Sequence, residues 1–402
     1  MKRIENLNLF RKKILIRLDF NVPLNAEGKI TDFHRIYQAL PTIQKVINAE
    51  TVCILCSHLG DPKEKNPKYS LKNIHTDLEK ILNQKIIFVE DFLAQDFQNQ
   101  LKNAEIGTIF LLENLRFYVQ EKKNDAEFAK QLASLADIVI EESFSVSHRS
   151  HASIEKLPLY AKEVAIGENM AREIEQATKL LHAPKPFVVL LGGSKIGTKI
   201  KTLEIFLELA DILAIAGGMV NAFIVAEGGK IGAAKVENTE VEFAKNLLVQ
   251  ADKKGKKIIL PLYSLAADAF SEQANTKIVP SMEIPEEFYA LDVAEESLDA
   301  YKNMLKNAKT ILWNGPLGVF EWKKFEQGTK IWISYLIEAQ KNGAEVIVGG
   351  GDSVAALEKF NAKEKMSYVS TAGGALFTFI EKQGKLPGIL ALEEKENLIL
   401  EN

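Results

Sequence analysis

Cysteine is scarce in this chain, with two residues in 402. That excludes a disulfide scaffold and fits a reducing compartment. An excess of one charge is also missing: 50 Lys and Arg face 54 Asp and Glu, a formal net charge of −4. So small a balance does not mark a nucleic-acid or membrane-surface protein. No apolar run approaches the ~18 residues of a membrane span. The charged opening MKRIENLNLFRKK, followed by a short apolar run broken by Arg17, does not read as a signal peptide. There is no low-complexity tract and no repeat at a period of ~20–50 residues. The expected address is cytoplasmic, with neither nucleic acid nor membrane as a partner. What is present is ordinary globular material, 47% apolar and 26% charged. At ~100–200 residues per domain, the length predicts two domains or three.

The two cysteines, Cys53 and Cys56, lie three apart in TVCILCS. This run reads as a buried strand, in which residues three apart face opposite sides of the sheet. They are therefore expected in the core, not as a metal or redox pair.

Short apolar runs recur along the chain: Ile14–Leu18, Thr51–Ser57, Lys85–Val89, Thr108–Asn114, Asp137–Phe144, Phe187–Leu191, Ile212–Ala216, Lys257–Leu262, Thr310–Trp313, Glu345–Val348 and Ser367–Ser370. Segments with helical spacing separate them, among them Ala126–Ala136, Lys201–Leu209, Glu240–Lys254, Asp299–Asn307 and Gly328–Lys341. The alternation predicts an α/β fold with parallel sheets covered on both faces. Near mid-chain, Glu168–Pro186 reads as a connecting helix closed by His182-Ala-Pro-Lys-Pro186.

Ligands of open parallel sheets bind beyond the carboxyl ends of the strands. In the first half those ends carry Arg17, Asp19, Asn21, His58, Arg116, His148, Arg149 and His151. Taken singly, each arginine defaults to a surface salt bridge. Together they favour an anion site, because guanidinium forks match carboxylate and phosphate oxygens. In the second half the ends carry glycine clusters, at Gly192-Gly193, Gly217-Gly218, Gly315 to Gly318, Gly349-Gly350-Gly351 and Gly373-Gly374. Such turns let backbone N–H groups approach phosphates at helix N-termini. Lys195 and Lys199, four apart, would share a helix face. Asp352 suits either a phosphate-bound Mg²⁺ or a helix N-cap. Glu321 suits ribose hydroxyls or plain exposure. His148 and His151 flank Arg149 with no zinc-like partner set. There is no Walker A sequence, nucleophile elbow or H-E-x-x-H, which favours direct transfer between bound partners. The absence of G-x-G-x-x-G argues against a dinucleotide oxidoreductase.

Eight segments, in order, resemble one family, phosphoglycerate kinase. They are Ile16-Arg-Leu-Asp-Phe-Asn-Val-Pro-Leu24, Ser57-His-Leu-Gly60, Leu112-Glu-Asn-Leu-Arg-Phe117, His148-Arg-Ser-His151, Gly192-Gly-Ser-Lys195, Trp313-Asn-Gly-Pro316 with Gly318-Val-Phe-Glu321, Gly349-Gly-Gly-Asp-Ser353 and Ser370-Thr-Ala-Gly-Gly374. The resemblance implies two Rossmann-like domains joined by a hinge helix. They would comprise 1–166, a linker at 167–186, and 187–385, with 386–402 packing back on the first. It implies reversible transfer of a phosphoryl group between 1,3-bisphosphoglycerate with ADP and 3-phosphoglycerate with ATP, in line after domain closure, with Mg²⁺, by a monomer. By this similarity Asp19, Phe20, Asn21, Arg35, His58, Leu59, Gly60, Asp61, Arg116 and Arg149 would bind the glycerate. Lys195, Lys199, Asn314, Glu321, Gly350, Gly351, Asp352 and Ser353 would bind the nucleotide, with Asp352 at the metal. Arg35, Lys195, Gly351 and Gly374 would clamp the group in transfer.

The chain departs from the family's usual pattern at several places. Asp61-Pro62 stands for Arg-Pro, and Glu142-Ser-Phe-Ser-Val146 for Asp-Ala-Phe-Gly-Thr. Tyr263 stands for Asp, Leu291-Asp-Val-Ala-Glu295 for Leu-Asp-Ile-Gly-Pro, and Thr378 for Glu. Asp61 puts an anion where a cation is usual, which should weaken binding of a nearby phosphate. These departures leave open a second reading, a nucleotide-binding relative with reduced activity and a binding or regulatory role.

Overall fold

The computed structural model describes residues 1–400; positions 401–402 of the segment expected to pack back lie outside the described residues. The chain forms two units, Met1–Ala177 with Lys382–Asn402, and Thr178–Glu381. The first division falls within the helix Glu168–Leu181.

The first unit is built on six parallel strands: β1 (Lys13–Arg17), β2 (Val52–Cys56), β3 (Ile87–Val89), β4 (Ile109–Leu112), β5 (Ile138–Glu141) and β6 (Glu163–Ile166). Their order is β3-β4-β2-β1-β5-β6. β2, β4 and β5 are buried at every residue, as strands covered on both faces must be. Cys53 and Cys56 are buried free thiols, pushed up in pKa by burial. The helix His34–Asn48 turns Ile36, Ala39, Ile43 and Val46 inward at spacings of three and four, the stripe an amphipathic helix lays on a sheet.

The second unit continues with β7 (Phe187–Leu191), β8 (Ile212–Ile215), β9 (Lys230–Ile231), β10 (Lys257–Ile259), β11 (Tyr263–Ala267), β12 (Thr276–Pro280), β13 (Glu283–Ile284), β14 (Tyr289–Val293), β15 (Thr310–Asn314), β16 (Glu345–Val348) and β17 (Tyr368–Val369). The main sheet, parallel throughout, runs β10-β8-β7-β15-β16-β17. Its order is that of the doubly wound nucleotide-binding fold. The antiparallel sheet β12-β11-β14 was not expected from sequence. Its strand β12, TKIVP, has four of its five residues exposed, so no apolar run marks it.

Each main sheet has one point where its order reverses, between β1 and β5 and between β7 and β15. The loops leaving those strands face a crevice there. Among the described residues, no helix is long and apolar enough to cross a membrane.

Candidate functional site

In the first unit, the chain leaving β1 is held by the chain leaving β2. The Phe20 N–H donates to Ser57 Oγ (2.8 Å), and Ser57 Oγ donates to the Leu18 carbonyl (2.7 Å). Asn21 Oδ1 accepts from the Gly60 N–H (2.7 Å), and Arg116 Nη1 donates to the Gly60 carbonyl (2.7 Å). The Asp19 carboxylate accepts from Arg35 Nη1 and Ser145 Oγ at one oxygen and from the Asn21 N–H (3.0 Å) at the other. Burial works against its ionisation, yet Arg35, with these hydrogen bonds, holds its pKa down to about 2. His58 is buried and stays neutral, its pKa driven well down by burial, with Arg17, Arg116 and Arg35 adding to the effect of burial. Burial, then Arg149 and Arg116 respectively, lower His148 and His151 to about 4. The positive charge here therefore comes from arginine, not imidazole. The side chain of Arg116 is 6% exposed, and its Nε, fully buried, has no hydrogen-bond partner.

Asp19, Asn21, Arg35, His58, Gly60, Asp61 and Arg116 are thus brought together, directly or through one shared neighbour. Arg149, exposed on the loop after β5, lies close enough to lower the Asp61 pKa. Phe20 and Leu59 carry a correction: both side chains are core residues, so only their backbone is available to a ligand. Asp61 is paired, 2.6 Å from Lys122 Nζ and 3.4 Å from Arg116 Nη1. The anion that sequence reading set against phosphate binding is largely offset.

In the second unit, the turns after β7 and β15 pack backbone on backbone. A Cβ on Gly192 would stand 2.1 Å from the Pro316 carbonyl oxygen, and one on Gly315 would stand 2.4 Å from that of Gly192. Only glycine permits this approach. Lys199 Nζ bridges the two turns, donating to the Gly192 carbonyl and to Asn314 Oδ1, both at 2.6 Å. Burial lowers its pKa to about 8. Asn314 Nδ2 donates to the Gly349 carbonyl (2.7 Å), and the Gly315 N–H donates to Ser353 Oγ (2.6 Å).

Two clefts open over this framework. One, about 450 Å³, is lined by Lys199, Asn314, Ser353, Gly373 and Gly374, among others. It receives the N-termini of the helices Gly351–Lys359 and Gly374–Glu381, whose free N–H groups and dipoles suit phosphate oxygens. The other, about 440 Å³, has an apolar wall with Val220, Ile224 and Leu291, and includes Gly217, Gly218, Gly318 and Glu321. Asp352 lines both.

Two sequence readings change here. Lys195 and Lys199 do not share a helix face. Lys195 is exposed in the loop, while Lys199 ends the short 3-10 turn Gly197–Lys199 and reaches inward. Asp352 is not an N-cap, since Gly350, at φ 95°, holds that place and Asp352 lies in the first turn. Its carboxylate is therefore free for a cation. No group of three His, Cys, Asp or Glu suited to a metal exists among the described residues. The one carboxylate fits a Mg²⁺ that takes most of its oxygens from phosphate and water.

Gly217 and Gly218, expected among the strand-end glycine clusters, line the apolar cleft. Two contributors escaped sequence reading. Asp292, buried at the floor of that cleft, accepts from the Gly328 N–H (2.8 Å) and the Val293 N–H (2.9 Å). Burial raises its pKa to about 7. Ser145 meets Asp19 from 126 residues away, and no local pattern announces it.

The comparisons agree with this geometry. A phosphoglycerate kinase family model matches residues 4–383. Cytosolic phosphoglycerate kinase 3 of Arabidopsis thaliana is 41% identical over 393 residues, 97% of this chain and 98% of the relative. Phosphoglycerate kinase of Gloeothece citriformis is 41% identical over 387 residues, 95% and 96% of the two chains. The solved structure of phosphoglycerate kinase from Coxiella burnetii superposes with a TM-score of 0.88 at 38% identity, over 98% of this chain and 99% of that one. Chloroplastic relatives match as well, such as phosphoglycerate kinase 2 of Arabidopsis thaliana at 39% identity. No finding favours a reduced-activity relative. With its motifs, two reversal-point sites and nearly full-length matches, the chain belongs to the phosphoglycerate kinase family.

Proposed function

We propose that the chain is a glycolytic phosphoglycerate kinase whose first unit binds 3-phosphoglycerate or 1,3-bisphosphoglycerate and whose second binds ATP or ADP. The observation that carries this reading is the phosphate cleft of the second unit. There Lys199 joins the two reversal-point turns, and two helix N-termini open into the space beside it. The apolar cleft sharing Asp352 suits the base, with Glu321 at the ribose. Asp352 would hold Mg²⁺ on the nucleotide phosphates, where the ion neutralises phosphate charge.

Phosphoryl transfer asks the protein for alignment and charge stabilisation more than for covalent chemistry. Asp19 and Asn21 would orient the glycerate, Arg116 and Arg149 its phosphate. Arg35, Lys195 and the N–H groups of Gly351 and Gly374 would steady the group in transfer. The domain assignment, 1–166 with 386–402 for the acid and 187–385 for the nucleotide, is part of this proposal, as are a monomeric state and a cytoplasmic location. The test is a coupled assay with 3-phosphoglycerate, MgATP and a downstream reductase. NADH oxidation that requires both substrates is the expected result. ATP binding without NADH consumption would overturn the reading.

A further inference from the structure

The Asp19 carboxylate carries more donors than its ion pair requires. Arg35 Nη1 and Ser145 Oγ share Oδ2, and the Asn21 N–H takes Oδ1. Asp19 is 9% exposed, whereas the Arg35 side chain is 31% exposed. The carboxylate is fixed in the protein and the guanidinium is the partner with room to move. Ser145 is itself fixed. It sits in the short helical turn Phe144–Val146, between two buried residues, Phe144 and Val146.

A guanidinium that pairs with a buried carboxylate is not free to stabilise phosphoryl oxygens. Leaving would strand an uncompensated buried charge, which is strongly disfavoured. Donors that stay behind lessen that penalty, because hydrogen bonds to an ionised acceptor are among the stronger ones. We propose that Ser145 is a positioning residue that holds the Asp19 carboxylate while Arg35 exchanges it for the phosphoryl group. The inference rests on the reading of Arg35 as a clamp on that group. Where the family's usual pattern has glycine, this chain adds a hydroxyl, and the hydroxyl is the atom that makes the contact.

The experiment measures initial rates for Ser145→Ala, Ser145→Thr, Arg35→Ala and the double variant Arg35→Ala/Ser145→Ala, together with their melting temperatures. Ser145→Ala is expected to lower kcat about tenfold, the scale of one hydrogen bond to a charged group. KM for MgATP should stay at its wild-type value, and the melting temperature should fall by no more than a few degrees, the cost of one hydrogen bond. Ser145→Thr, which keeps the hydroxyl, should recover most of the rate. In the Arg35→Ala background, removal of the Ser145 hydroxyl should change kcat no further. If Arg35→Ala turns over normally, the reading of Arg35 fails and takes the proposal with it. If Arg35→Ala is crippled while Ser145→Ala is normal, the proposal fails alone. A loss of rate that tracks a larger fall in melting temperature and is not rescued by threonine would make Ser145 a structural residue, and would also overturn it.

Discussion

Two lysines four positions apart divide structure from chemistry. Lys199 is anchored to Gly192 and Asn314, so removing it would leave the turns around the phosphate cleft without their bridge. Lys195 is exposed in the same loop, and the fold gains little from it. Lys195→Ala should therefore leave stability within about 0.5 kcal/mol of wild type, as for surface substitutions generally. It should lower kcat by about two to three orders of magnitude, the scale seen when a preorganised charge-stabilising donor is lost. Urea unfolding and steady-state rates on one preparation check both halves. Near-normal turnover would remove Lys195 from the mechanism. Asp61 shows the converse, an alarming residue made harmless by a neighbour. With Lys122 at 2.6 Å, the pair presents almost no net charge. Lys122→Met should raise KM for 3-phosphoglycerate and Asp61→Asn should lower it, each by about two- to fivefold for an exposed pair. The double variant should return near wild type. An unchanged KM in Lys122→Met would show that Asp61 needs no compensation.

At the level of elements, the loop after β5 does two jobs from positions three apart. Ser145 faces Asp19, and Glu142 caps the helix Glu168–Leu181. The Glu142 carboxylate accepts from the Asn169 N–H (3.1 Å), the Met170 N–H (2.9 Å) and the Thr42 hydroxyl. Gly167 has no side chain because a Cβ there would lie 2.3 Å from Glu142 Oε2. Burial raises the Glu142 pKa from 4.5 to about 7, against the pull of its donors. Over that interval the folded chain holds a proton that the unfolded chain has released. The contribution is therefore full below about pH 4.5 and is lost as pH rises through 7. Glu142→Gln cannot ionise. Between about pH 5 and pH 8, the unfolding free energy of wild type should fall relative to the variant by about 2–3 kcal/mol. Urea titrations at the two pH values measure that difference, and parallel behaviour would assign the pH sensitivity elsewhere. Sequence reading recovered the elements whose physics is local. VCILC and IFLL are buried runs, and they announce parallel strands. It lost β11, β12 and β14, whose pairing is antiparallel, partly exposed and supplied by residues distant in sequence. It also misjudged the Lys195–Lys199 spacing, because Gly193, at φ 124°, and a 3-10 turn replace the helix it assumed. Asp19, Asn21 and His58 were legible as polar groups at strand ends and within the family's motifs, and Arg35 only through what the resemblance implies. Ser145 and Glu142 were not, because they stand where the pattern has drifted.

For the molecule as a whole, the chain order matters as much as the two sheets. The helix Pro387–Leu400 follows the second unit in sequence but belongs to the first unit. Leu386, Ile389 and Leu392 are at most 3% exposed. The Gly388 N–H donates to the Ser147 carbonyl (3.0 Å), Lys395 Nζ to that of Leu159 (3.3 Å), and Glu396 pairs with the N-terminal ammonium at 2.7 Å. Ser147 lies two residues from Arg149, so the helix buttresses the loop that carries a proposed phosphate ligand. Burying three large apolar side chains contributes roughly 5–9 kcal/mol, an upper figure because the unfolded chain is itself partly compact. That is comparable to the whole stability of a domain, about 5–15 kcal/mol. A chain ending at Lys385 should therefore lose the first unit selectively. Its KM for 3-phosphoglycerate should rise at least tenfold, or turnover should vanish. Binding of a fluorescent ATP analogue should persist, since none of the residues lining the two proposed nucleotide clefts lies beyond position 381. Hydrogen exchange resolves the two units separately. Protection should collapse in β1, β5 and β6 and survive in β7, β8 and β15. Uniform loss of protection would mean that the two units stand or fall together, and wild-type exchange throughout would mean that the first unit is stable without its last helix.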